Sequence, residues 1–191
     1  MKFQIIPLKE KEYIYYISPL SGSLIRTTES KVFNNILFCE KIQLALDKIE
    51  NPFQIHSINP LLSEEACNRY NISVIKKTNQ FHNTLLKLGN KRFFLSRIYA
   101  SLSNPLFENT ISAFDAISKI SIQKDHRHEL CFQRALLAAK TSKTFKNNGI
   151  LFIGASFPSG KMHAWIMEGD VQPDRLDREW IMYRPLLAMY Y

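Results

Sequence analysis

The chain has 191 residues, 46% of them apolar and 12% aromatic, with a formal net charge of +8. That length holds one domain of moderate size or a small domain joined to a larger one, and the apolar content excludes a disordered chain. The basic balance suits an acidic peptide or a nucleic acid. No basic stripe interleaved with aromatics runs through the sequence, so no nucleic acid is expected.

The start, MKFQIIPLKEKEYIYY, meets Lys9, Glu10, Lys11 and Glu12 before any long apolar run, so it does not read as a signal peptide. No stretch reaches the length of a membrane span. Cys39, Cys67 and Cys131 form no CxxC pair, and an odd count fits a reducing compartment. A cytoplasmic protein is expected.

KFQIIPL, EYIYYIS and SLIRT read as three short strands, with Ser18-Pro19 and Ser21-Gly22 marking a turn. Thr28 or Ser30 then caps a predicted helix in which Val32, Ile36, Leu37, Ile42, Leu44 and Ile49 recur until Asn51-Pro52 stops it. A second short helix, LSEEACNRY, has Ser63 as its cap and acids in its first turn. Strands followed by helices suggest a small winged-helix-like module over residues 1–77, or a subdomain that covers the rest.

From Thr78 to Lys124 the pattern is helical. NQFHNTLLKLGNKRFFLSRIYASLSNP carries a recurring apolar face, with Gly89-Asn90 a break and Asn104-Pro105 a stop. A further helix is expected with Pro105 in its first turn and Leu106, Ile111, Phe114 and Ile117 turned inward. Phe93, Phe94 and Tyr99 read as core.

The chemistry concentrates in the last third. DHRHELCFQRALLAAKTSKTF reads as an amphipathic helix capped by Asp125, which puts Cys131 in its first or second turn. N–H groups and the positive dipole end favour a thiolate there. LFIGASF and KMHAWIM, joined by Pro158-Ser159-Gly160, predict a β-hairpin with His163 on its second strand. A turn near Glu168-Gly169 then brings Asp174 opposite His163. Counting with a period of two favours Asp174, with Asp177 as the alternative and Asp170 in the turn itself. Cysteine, histidine and carboxylate together serve thiol acyl transfer: nucleophile, proton carrier and the group that orients it.

The set CFQRALLAA, LFIGASF, HAWIM and VQPD resembles the lasso-peptide leader peptidases, the B proteins of lasso-peptide biosynthesis. The match covers about the last third of the chain. It departs from the family in a one-residue gap before Asp174 and in Ser159-Gly160-Lys161-Met162 ahead of the histidine. The resemblance implies an α+β fold with a transglutaminase-like (papain-type) core over residues 78–191, Cys131, His163 and Asp174 as the triad, and no cofactor. It also implies a precursor-peptide substrate cut between leader and core, commonly after a leader whose penultimate residue is threonine. The partner implied is an ATP-dependent asparagine-synthetase-like cyclase. The N-terminal strands and helices resemble the leader-recognition module fused to some members.

Other chemistries fit less well. Asp125, His126, His128 and Cys131 are metal-capable, but no second ligand pair stands at a fixed spacing. GxxxxGK[ST] and GxGxxG are absent, and Phe157 breaks a GxSxG elbow at Ser156. A transglutaminase-like acyltransferase shares the triad, and a non-catalytic peptide- or nucleic-acid-binding module predicts a buried, inert Cys131.

Overall fold

The strand Gly149–Ala155 is buried along its whole length, which is why its sequence, GILFIGA, shows no polar alternation. In the computed structural model, which describes residues 1–28, 38–50, 56–57, 72–89, 104–119, 131–174, 177 and 179–191, it runs through a six-stranded sheet. In chain order the strands are β1 (Lys2–Ile5), β2 (Leu8–Glu10), β3 (Tyr13–Ile17), β4 (Leu24–Thr27), β5 (His56–Ser57), β6 (Gly149–Ala155), β7 (Met162–Glu168), β8 (Val171–Gln172) and β9 (Arg184–Tyr190). The large sheet has the order β1-β9-β6-β7-β8-β5, and β2-β3-β4 form a separate antiparallel meander. Among the described strands only β5–β8 pairs in parallel.

The helices are α1 (Glu40–Glu50), α2 (Ile72–Gly89), α3 (Thr110–Lys119), α4 (Cys131–Thr141) and α5 (Lys143–Asn148). Leu151, Ile153, Ala164, Ile166, Leu187 and Met189 meet α3 and α4 on one face of the sheet. On the other face Ile150, Phe152, Trp165 and Met167 meet Ile42 and Ala45 of α1. In α4 every residue from Ala135 to Thr141 is buried, so this helix is enclosed rather than amphipathic. Three alanines there let it approach the strands closely, and burying Leu136 and Leu137 contributes about 1.5–3 kcal/mol each.

Several expectations change. KFQIIPL is not one strand of the N-terminal module: it is interrupted at Pro7, and Lys2–Ile5 pairs instead with Leu187–Tyr190 at the far end of the chain. The meander begins after the break, at Leu8. The first described helix starts at Glu40, with the Cys39 carbonyl accepting from the Ile42 and Gln43 N–H groups, and its apolar side packs on the large sheet. Among the described residues, elements from before and after residue 77 share these cores. Pro105 lies outside α3, whose start at Thr110 is fixed by Asn109: its carbonyl accepts from Ala113 N–H and its side chain from Ser112 N–H at 2.8 Å. The helix LSEEACNRY, the aromatics Phe93, Phe94 and Tyr99, and Asp125, His126 and His128 lie outside the described residues.

One glycine fixes how the strands meet. Gly154 stands at a bulge between β6 and β9, where an added Cβ would run into the Arg184 carbonyl and the Trp165 ring. Gly154→Ala is expected to cost about 1–3 kcal/mol by overpacking, seen as a lower denaturant midpoint with the slope unchanged.

Candidate active site

Cys131 is the first described residue of α4 and is partly buried. The preceding segment lies outside the described residues, so the proposed Asp125 cap is not part of the picture. After α4 the chain takes Ser142 as a new cap, makes the single turn of α5, and enters β6 at Gly149.

The β6–β7 hairpin forms as the sequence predicts. Ser156 N–H donates to the Lys161 carbonyl at 2.9 Å, and Gly160 takes φ of 68°, which favours glycine. His163 on β7 then stands opposite Gly154, where no side chain rises beside it. Its Nε2 lies 2.8 Å from Oδ2 of Asp177, and its ring shares a hydrogen bond with the Cys131 thiol. With Nε2 committed to the carboxylate, Nδ1 is the nitrogen left for sulfur.

The expected third residue is corrected in this geometry. The carboxylate on His163 is Asp177, whereas both oxygens of Asp174 lie 2.9 Å from one guanidinium nitrogen of Arg134. The two aspartates are linked: Asp177 N–H donates to the Asp174 carbonyl at 3.0 Å. Arg134 is three residues beyond Cys131, one helical turn along, so its ion pair ties the aspartate turn to the helix that carries the thiol. Glu179 N–H donates to the other Asp177 oxygen, Oδ1, at 3.1 Å, which leaves Oδ2 for the histidine.

Two aromatic residues complete the surroundings: Trp165, which the sequence reading carried only as part of the HAWIM motif, and Tyr183, which it did not single out. The Tyr183 ring centroid lies 4.8 Å from that of His163, tilted by 30°, and Trp165 lies 6.2 Å away and nearly parallel. Trp165 was accessible to sequence reasoning, being two residues past His163 on the same side of the strand. Tyr183 was not, because a short 3-10 helix, Trp180–Met182, delivers it.

Burial opposes charge on His163, but the hydrogen bonds to Asp177 and Cys131 and the charges of both outweigh it, and its pKa rises to about 10. The site therefore favours an imidazolium at His163. The raised value has a sign in stability. His163 contributes fully below its unfolded pKa of about 6.5, and that contribution is lost as pH rises towards about 10. Wild type should lose stability over this window relative to His163→Gln, measured by urea unfolding at both ends. Lys140, whose pKa burial lowers to about 8, has the opposite slope and cancels in the comparison.

Among the described residues, no group of three or more His, Cys, Asp or Glu side chains could hold a metal ion. No described helix is long and apolar enough to cross a membrane. No protein-family model matches the chain, and neither a curated protein nor a solved structure does.

Proposed function

We propose that the protein is a cysteine peptidase acting through Cys131, His163 and Asp177. The observation that carries this reading is the continuous set of thiol, imidazole and carboxylate that joins Cys131 on α4, His163 on β7 and Asp177. Asp174 becomes a positioning residue that holds the aspartate turn through Arg134.

In this mechanism the Cys131 thiolate attacks the carbonyl carbon of a peptide bond. Negative charge develops on the carbonyl oxygen, for which N–H groups at a helix start are natural donors. Nδ1–H of the His163 imidazolium gives its proton to the departing amine, and the C–N bond breaks to leave a thioester on Cys131. Water then attacks the thioester while His163 takes its proton. The C–S bond breaks, the acid product leaves, and Cys131 is released as a thiolate beside the protonated His163, as at the start. Asp177 keeps the ring oriented throughout.

The substrate reading rests on the resemblance to lasso-peptide leader peptidases: a ribosomally made precursor is cut between leader and core, and an ATP-dependent asparagine-synthetase-like cyclase takes the core. In that reading the core is papain-type and the protein works in the cytoplasm. The test is mass spectrometry of a precursor peptide incubated with the protein, with and without such a cyclase. A single cut that depends on Cys131 supports the reading. An amine adduct in place of a cut moves it to acyl transfer, and an intact peptide in both mixtures rejects it.

A further inference from the structure

The imidazole of His163 is held at its edges by the triad and on its face by a further residue. Both edge contacts lie in the plane of the ring: Nε2 is 2.8 Å from Asp177 Oδ2, and the Cys131 thiol takes the other side. Two such bonds leave the ring free to tip about the line through its nitrogens. A second ring lying against the face stops that motion. Tyr183 supplies it, with centroids 4.8 Å apart and planes tilted by 30°.

The residue that grips the edge and the one that covers the face are linked by short hydrogen bonds. Glu179 N–H donates to Asp177 Oδ1 at 3.1 Å, Met182 N–H to the Glu179 carbonyl at 2.9 Å, and Tyr183 N–H to the Trp180 carbonyl at 3.1 Å. Trp180 and Tyr183 are buried in the same cluster as Trp165, and Arg184 then enters β9 opposite Ala155. The Tyr183 ring is therefore fixed in place without a substrate. The face of an aromatic ring is negative, and it attracts a planar cation within about 6 Å of its centroid. Tyr183 lies inside that range, whereas Trp165, at 6.2 Å, lies just outside it. The other ionisable groups about the ring are Cys131 from α4, Asp177 at Nε2 and Glu179 behind Asp177. Burial, then the charges of Glu179, Cys131 and Asp177, push the Tyr183 phenol above its ordinary range, which favours its neutral form.

We propose that Tyr183 is a positioning residue for His163: its ring face holds the imidazole in the plane that joins thiol to carboxylate, and attracts the protonated ring. The proposal deepens the peptidase reading and rests on it for turnover, but the imidazole can be titrated without a substrate. Full-length protein carrying Cys131→Ala and isotope-labelled histidine is titrated by NMR, with His163→Gln to assign the signal. Tyr183 is compared with Tyr183→Phe and with ring-fluorinated phenylalanines at the same position, which keep the shape of the ring and drain charge from its face. Circular dichroism checks that each variant folds.

Tyr183→Phe should leave the His163 titration midpoint nearly where it is, and fluorination should lower it stepwise, by about 0.5–1.5 pH units for the trifluoro ring. A midpoint that does not respond to fluorination overturns the proposal, because the ring would then only pack. So does a full drop already in Tyr183→Phe, which would assign the effect to the hydroxyl. With Cys131 retained, the alkaline limit of cleavage should fall in the same order. Midpoints that fall as expected in a protein that cleaves no peptide would overturn the peptidase reading and leave the role of Tyr183 standing.

Discussion

If the proposed peptidase mechanism holds, Cys131→Ala should lower peptide cleavage by about 10⁴-fold or more, and His163→Ala should do the same. The two losses should not add, because thiol and imidazole act as one unit: the double variant falls no further than either single one. The pair is separated by stability. Cys131→Ala removes one of the two partners that raise the His163 pKa and should lower the unfolding midpoint by less than His163→Ala does. His163→Ala strips the partner from the Asp177 carboxylate, whose side chain is 8% exposed, and should lower the midpoint as well. Cleavage assays beside urea titrations check both halves.

Asp177→Ala and Asp174→Ala should fail in different ways. Without Asp177 the imidazole loses the hydrogen bond that orients Nε2 and one of the charges that raise its pKa. Turnover should fall about 10²–10⁴-fold, and the alkaline limit of activity should move to lower pH. Without Asp174 the partly buried Arg134 guanidinium loses both carboxylate contacts, at a cost of about 1–3 kcal/mol in stability. The pH profile should stay where it is, since Asp174 acts on the turn and not on the ring. A pH–rate series on the two variants distinguishes the roles, and a shifted profile in Asp174→Ala alone would reverse them.

The local parts of the site were legible in the sequence. Cys131 lies on the helix that ELCFQRALLAAK predicts, and Pro158-Ser159-Gly160 makes the turn that puts His163 on a strand. The choice between aspartates was not legible for a geometric reason. Counting by twos assumes that the strand after Gly169 continues, but β8 ends at Gln172 and the chain leaves the sheet at Pro173. The turn between Asp174 and Asp177 then decides which carboxylate returns to the histidine. One clue was available: Arg134 lies a helical turn from Cys131, placed to claim an acid nearby.

The fold shows the same division. Strand content near the N-terminus was readable from β-branched and aromatic runs, but the partners were not. Lys2 meets Tyr190 across nearly the whole chain, and no local pattern encodes a pairing of that separation. The enclosure of α4 was hidden as well, because Lys140 resembles a solvated helix end yet is 3% exposed.

The most direct test of the central claim uses the protein's own control. Of the two described cysteines, Cys131 shares a hydrogen bond with the imidazole of His163, while Cys39 bonds with Tyr190. Iodoacetamide labelling of both, followed by mass spectrometry near pH 6, compares a thiol beside His163 with one that lacks it. Cys131 should react well ahead of Cys39, and His163→Ala should remove that lead. Equal rates in the wild type, or a lead that survives His163→Ala, would contradict a thiolate–imidazolium pair at Cys131.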